Sequence, residues 1–109
     1  MSNDIQYIGV SVIKRANIFD EKCVSHTVLF PDGTRKTLGV FFPGLMTLPA
    51  IVDEVIEVLA GHCIVREVGG DVWTEYRAGD SFSVSGKSEI DVKVFETVEY
   101  VCSFDDLKA

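Results

Sequence analysis

Nothing in this chain of 109 residues approaches the roughly 18–20 consecutive apolar residues that a membrane-crossing helix requires, so no helical span is expected. The start, Met1-Ser-Asn-Asp-Ile5, has neither the basic stretch nor the apolar stretch of a secretory signal. Cysteine is sparse: Cys23, Cys63 and Cys102 are an odd number with no Cys-x-x-Cys spacing. That pattern points away from a disulfide framework and toward buried thiols in a reducing cytoplasm. Positive charge is also short, with 10 Lys and Arg against 17 Asp and Glu and a net charge of −7. A nucleic-acid groove needs clustered basic residues, so nucleic acid is not an expected partner, and the acidity reads as solubility. Histidine is nearly absent, with only His26 and His62.

What the chain does contain is alternation. Hydrophobic residues make up 47% and charged residues 25% of the sequence, enough for one domain spanning 1–109 with its own core. Gly and Pro punctuate it often, and between them the apolar residues recur with period two, the period of strands. Residues 7–13 read as a first strand and 14–22 as irregular. In 23–30, Val24, His26, Val28 and Phe30 share a face; in 34–42, Leu38, Val40 and Phe42 do. Pro31-Asp-Gly33 between them is a hairpin turn, because proline presets φ and glycine accepts a positive one. Pro43-Gly44 then opens a long connection over 44–53. Strands are expected at 54–59, 62–68, 72–78, 81–84, 89–95 and 98–104. A helix over 53–59 is disfavoured by its β-branched residues and by the flanking Pro49 and Gly61. About nine short strands and no amphipathic helix make an all-β sandwich or barrel.

Two stretches add a resemblance. Glu54 followed after six residues by Gly61, then Gly79 followed after five by the turn Ser85-Gly-Lys-Ser88, is similar to the two motifs of the cupins, small jelly-roll β-barrels that usually hold a metal on histidines. Set against those motifs, the histidine positions fall on Leu45, Thr47 and Ile90, and of four usual ligands only Glu54 remains. One carboxylate cannot hold Zn, Fe or Mn, which need three or four converging N, O or S ligands. The expectation is a barrel without metal, its cavity lined by Leu45, Thr47 and Ile90 and bearing one carboxylate.

A wider resemblance runs from about residue 8 to residue 104. The run Ala16-Asn-Ile-Phe19, Asp32-Gly-Thr-Arg-Lys-Thr-Leu-Gly-Val40, Pro43-Gly44, Glu54 to Gly61, Trp73, Tyr76-Arg-Ala-Gly79, Ser81-Phe82 and Glu99-Tyr-Val-Cys-Ser-Phe104 resembles the small single-domain cupins that are pyrimidine/purine nucleoside phosphorylases. The resemblance implies phosphorolysis: orthophosphate attacks the anomeric carbon of a purine or pyrimidine nucleoside, releasing base and a pentose 1-phosphate. It implies no cofactor beyond orthophosphate as co-substrate, and a homodimer. The chain departs from the family's pattern at Ser85, where proline is usual, and at Ile90, where an aromatic is usual; both bear on base preference more than on reaction type.

Breaking the glycosidic C–N bond builds positive charge on the sugar and negative charge on the base, so positioning and fixed charges can supply the catalysis. Glu54 is the candidate catalytic group, with backbone hydrogen bonding as its alternative role. A buried carboxyl without a cation has a raised pKa, which suits an acid. Phosphate needs a cation or backbone N–H groups. Arg35 is favoured because a guanidinium matches phosphate bidentately; Lys36, Arg66, Arg77 and Lys87 are the alternatives. Ser88, in a turn able to offer N–H groups, and Thr47 are candidate substrate contacts. Tyr100 and Phe104 are candidate stacking partners for a base, with core packing as their other reading. A non-catalytic cupin binding the same small molecules is the competing function, and a metal-dependent dioxygenase or isomerase a third. Apolar residues on both faces of 54–59 are what pairing between two copies requires.

Overall fold

The computed structural model of the chain describes residues 5–105. Residues 1–4, which carry most of the chain start considered above, lie outside them. Nine strands follow in order: β1 (Ser11–Val12), β2 (Asn17–Phe19), β3 (Cys23–Leu29), β4 (Arg35–Phe41), β5 (Gly44–Ala50), β6 (Glu54–Glu67), β7 (Thr74–Arg77), β8 (Ser81–Val84) and β9 (Ser88–Phe104). The described residues contain no helix long and apolar enough to cross a membrane.

The β3–β4 hairpin forms where its turn chemistry places it. Asp32 accepts from the Thr34 N–H at 2.9 Å, Gly33 takes φ +90°, and the Phe30 N–H donates to the Thr34 carbonyl at 2.9 Å. Two expectations are corrected. Residues 44–50 are not a connection but a strand, paired with β9 from Gly44↔Val94 to Ala50↔Ser88. Pro49 is tolerated there because β5 pairs on one side only, and an edge position leaves the missing N–H without a ladder partner to lose. The separate strands expected on either side of Gly61, and on either side of Glu96, are instead two long strands, β6 and β9, of 14 and 17 residues.

These two strands organise the molecule. Their Glu54–Ala60 and Val98–Phe104 halves sit in one sheet, with β9 next to β4 and then β3, and β8 beside β6. Their other halves sit in a second sheet with β5 and β7. Both strands must bend to pass between sheets, and the pairing register shifts at Val58/Ala60, Ala60/His62 and His62/Cys63. Gly61 sits at that break with φ +94°. The bulges kink the pair without ending it. Between the sheets lies the core, with Phe41, Val58, Cys63, Val92 and Val98 sealed completely.

Candidate active site

Alternation on β6 turns Glu54, Ile56 and Val58 toward the interior and leaves Val55 and Leu59 outside, as expected for this stretch. Ile56 and Val58 are buried in the core, while Glu54, at the end of the strand, reaches a cavity of about 400 Å³. Side chains from β2, β3, β4, β5, β6 and β9 line it. Four of the candidate residues meet there: Glu54, Arg35, Tyr100 and Phe104.

On one wall the Arg35 guanidinium lies over the Phe104 ring at 3.9 Å from its centre. Cys102 donates from its thiol to Glu54 Oε1 at 3.4 Å. Burial pushes the Glu54 carboxyl above its ordinary pKa; the Cys102 thiol and the Arg35 charge pull it back only in part. In the same sheet Tyr100, two residues before Cys102 on β9, stacks on Phe41 of β4, centroids 4.0 Å apart and planes 14° from parallel. Such a pair adds about 0.5–1.5 kcal/mol beyond its burial. The Tyr100 hydroxyl meets Cys23 Sγ at 3.2 Å. Burial drives the Tyr100 pKa far up, so the phenol stays protonated at any ordinary pH. A glycine is needed behind it: a Cβ on Gly39 would sit 2.7 Å from the Tyr100 hydroxyl and 2.6 Å from the Val24 carbonyl.

The cavity also holds polar groups that sequence reasoning missed. Asn17 Nδ2 donates to Ser25 Oγ at 3.3 Å and to Thr27 Oγ1 at 3.1 Å, and Thr37 stands opposite Thr27 in the β3–β4 ladder. The expected face of β3 lies away from the cavity: His26 is exposed, Val24 half-buried and Val28 buried outside the core cluster, and Leu38 on β4 is exposed. The inward face carries Cys23, Ser25, Thr27, Thr37 and Phe41. The only available signal was the period itself, which marks two faces without saying which one meets a cavity.

The family model described as pyrimidine/purine nucleoside phosphorylase matches residues 13–104. A protein of that name from Burkholderia multivorans is 55% identical over 105 residues, covering 95% of this chain and 99% of its own. The chain belongs to the pyrimidine/purine nucleoside phosphorylase family. A crystal structure of a protein of unknown function from Acinetobacter sp. ADP1 superposes with a TM-score of 0.86 at 39% identity, covering 92% of this chain and 98% of that one. An RmlC-like cupin from Shewanella frigidimarina, at 17% identity, superposes with a TM-score of 0.65 over 83% of this chain and 81% of its own, which marks the fold as a cupin barrel.

The cupin alignment of the first motif is corrected by one residue. Leu45 and Thr47 face outward, Leu45 being 57% exposed. The inward residues of β5 are Met46, Leu48 and Ala50. A one-residue slip in a strand exchanges its faces, so the two positions read as vacated ligands do not face the cavity. Ile90 does face inward, but as part of the packed core. Thr47 instead donates to Asp91 at 2.7 Å, and Arg66 binds the other Asp91 oxygen at 3.0 Å while its guanidinium lies over Trp73. These contacts hold the Asp91 carboxyl below its usual pKa, the Thr47 hydroxyl first and Arg66 next.

Ser88 lies outside the cavity too, bonded to the Ser85 carbonyl. Two N–H groups of the turn before it are already engaged: Gly86 donates to Asp53 Oδ1 at 2.7 Å and Lys87 to the Ala50 carbonyl at 2.6 Å. All three cysteines are free and buried, and burial alone pushes the Cys63 thiol up to about 11. Among the described residues no three His, Cys, Asp or Glu side chains converge in a way that could hold a metal ion.

Proposed function

We propose that this chain catalyses the phosphorolysis of purine and pyrimidine nucleosides in the Glu54–Arg35 cavity, with orthophosphate as co-substrate and no metal. The observation that carries this reading is one cavity holding a carboxyl with a raised pKa, an arginine and a stacked aromatic pair, in a chain of this family. In the reaction the C1′–N bond breaks, its electron pair leaves with the base, and a phosphate oxygen bonds to C1′. Hydrogen phosphate loses one proton and the departing base gains one. Glu54, whose burial makes its carboxyl easier to protonate, carries that proton. Arg35 orients phosphate, and the hydroxyl and amide groups of Asn17, Ser25, Thr27 and Thr37 offer hydrogen bonds to the sugar or base. Tyr100 is the stacking wall beneath them. The free buried thiols agree with work in a reducing cytoplasm.

The test incubates the protein with uridine and with inosine, with and without phosphate. Release of free base only with phosphate is the expected result. Binding without release would mean a non-catalytic binding barrel, and stoichiometric metal in the purified protein would revive a metal-dependent reaction. Within this reading, R35A is expected to raise KM for phosphate about 10- to 100-fold, the loss of hydrogen bonds to a charged group, and R35K to restore only part because it cannot bind bidentately.

Two copies pair through the outer face of the larger sheet, where Leu38, Phe42, Val55 and Leu59 are 39%, 42%, 42% and 54% exposed. Light scattering is expected to give the mass of two chains, and a double L38D/L59D variant the mass of one. A monomeric wild type at every concentration would end this proposal.

A further inference from the structure

Glu54 is held by a partner that no sequence motif marks. Cys102 and Ile56 are paired across β9 and β6, and Thr37 and Cys102 across β4 and β9. Three adjacent strands therefore line up Thr37, Cys102 and, one step diagonally, Glu54. Thr37 and Cys102 are 6% and 4% exposed. Thr37 stands directly opposite Cys102 in the β4–β9 ladder, and the Cys102 thiol donates toward Glu54.

We propose that Cys102 is a positioning residue for Glu54: its thiol, backed by Thr37, donates to Oε1, fixes the carboxyl rotamer and leaves Oε2 to face the substrate. The inference rests on the catalytic reading of Glu54 given above. A thiol fits this place for two reasons. Its donation is weak, so it orients the carboxyl without fully stabilising the ionised form. Burial and the Glu54 charge also keep the thiol protonated, so the donor is never lost to ionisation. The other titratable groups facing Glu54 are Arg35 from β4, Tyr100 from β9 and Cys23 from β3, with Asp53 and Asp105 on its outward side. Arg35 favours the carboxylate, as Cys102 does. The Tyr100 hydroxyl and the Cys23 thiol, both protonated, carry no charge.

The test compares C102S, which keeps a donor, with C102V, which fills the space without one. In C102V the alkaline limb of the kcat/KM profile is expected to move to higher pH, because the neutral carboxyl gains when the donor is removed. At the optimum of the wild type, kcat/KM is expected to fall roughly 2- to 10-fold, the worth of one modest hydrogen bond. C102S, which supplies a stronger donor, is expected to hold the limb at or below the wild-type pH, opposite in sign to C102V. A C102V limb that superimposes on the wild type would overturn the proposal. A readout without turnover is the Raman S–H stretching band of Cys102, assigned by its loss in C102S; it is expected at a hydrogen-bonded frequency and to relax to that of a free thiol in E54A. A band unmoved by E54A would overturn the contact itself. If instead E54Q keeps full activity while the band still shifts in E54A, the catalytic reading of Glu54 fails and the thiol contact stands.

Discussion

E54Q is expected to lose phosphorolysis by about 100- to 1,000-fold in kcat while the barrel stays folded, the range seen when one fixed group that meets developing charge is removed. Glutamine keeps the shape and can accept from Cys102, but it neither carries a proton nor offers negative charge to the sugar. KM for nucleoside should change little, because the loss falls on the transition state. Stability should move the other way. Burial raises the Glu54 pKa on folding, so the folded chain holds that proton to higher pH than the unfolded chain does. Its contribution is most favourable below the unfolded value and declines as pH rises toward the raised folded value. Above that window the wild type bears a buried charge that E54Q lacks. Thermal unfolding at pH 8 should therefore give E54Q a Tm equal to or above that of the wild type, and the difference should vanish at low pH. An active E54Q enzyme, or one that is unfolded, would contradict this account.

G61A is expected to be the most damaging small substitution in the fold. Gly61 has φ +94°, and a Cβ there would lie 2.1 Å from the Thr97 carbonyl oxygen and 2.8 Å from the Val98 Cα. Neither neighbour can yield, since both are backbone of the strand that Gly61 lies against. Gly79 supplies the control: its φ is also +94°, yet a Cβ would meet nothing within 4 Å. G79A should cost about 1–2 kcal/mol for the left-handed backbone alone. G61A should cost that plus the clash, at least about 2 kcal/mol more, lowering Tm by a further 10 °C or so. Equal losses in the two variants would show that β9 gives way freely at Thr97. The glycine that looks like part of a metal-binding motif in the sequence thus has a backbone duty: it lets β6 and β9 bend together from one sheet into the other.

The all-β class, the hairpin at Asp32-Gly33, the inward side of β6 and the grouping of Glu54, Arg35, Tyr100 and Phe104 were legible because each follows from local rules or from the family resemblance. Ser88 is turned to the Ser85 carbonyl by a local bond that spacing does not reveal, whereas the misplacing of Thr47 and of the long connection over 44–53 has one shared cause. Pro49 concealed β5, and without β5 its register against β9 was unknown, so Leu45 and Thr47 were assigned to the wrong face.

Composition and period determined by themselves that this chain folds into strands and buries its thiols, because side-chain alternation is a property of each strand alone. Which face of β3 turns inward, and which side chain meets the Glu54 carboxyl, was decided only in three dimensions. Those choices depend on strands far apart in the chain, Cys23 against Tyr100 and Cys102 against Glu54, brought within bonding distance when β6 and β9 fold through both sheets.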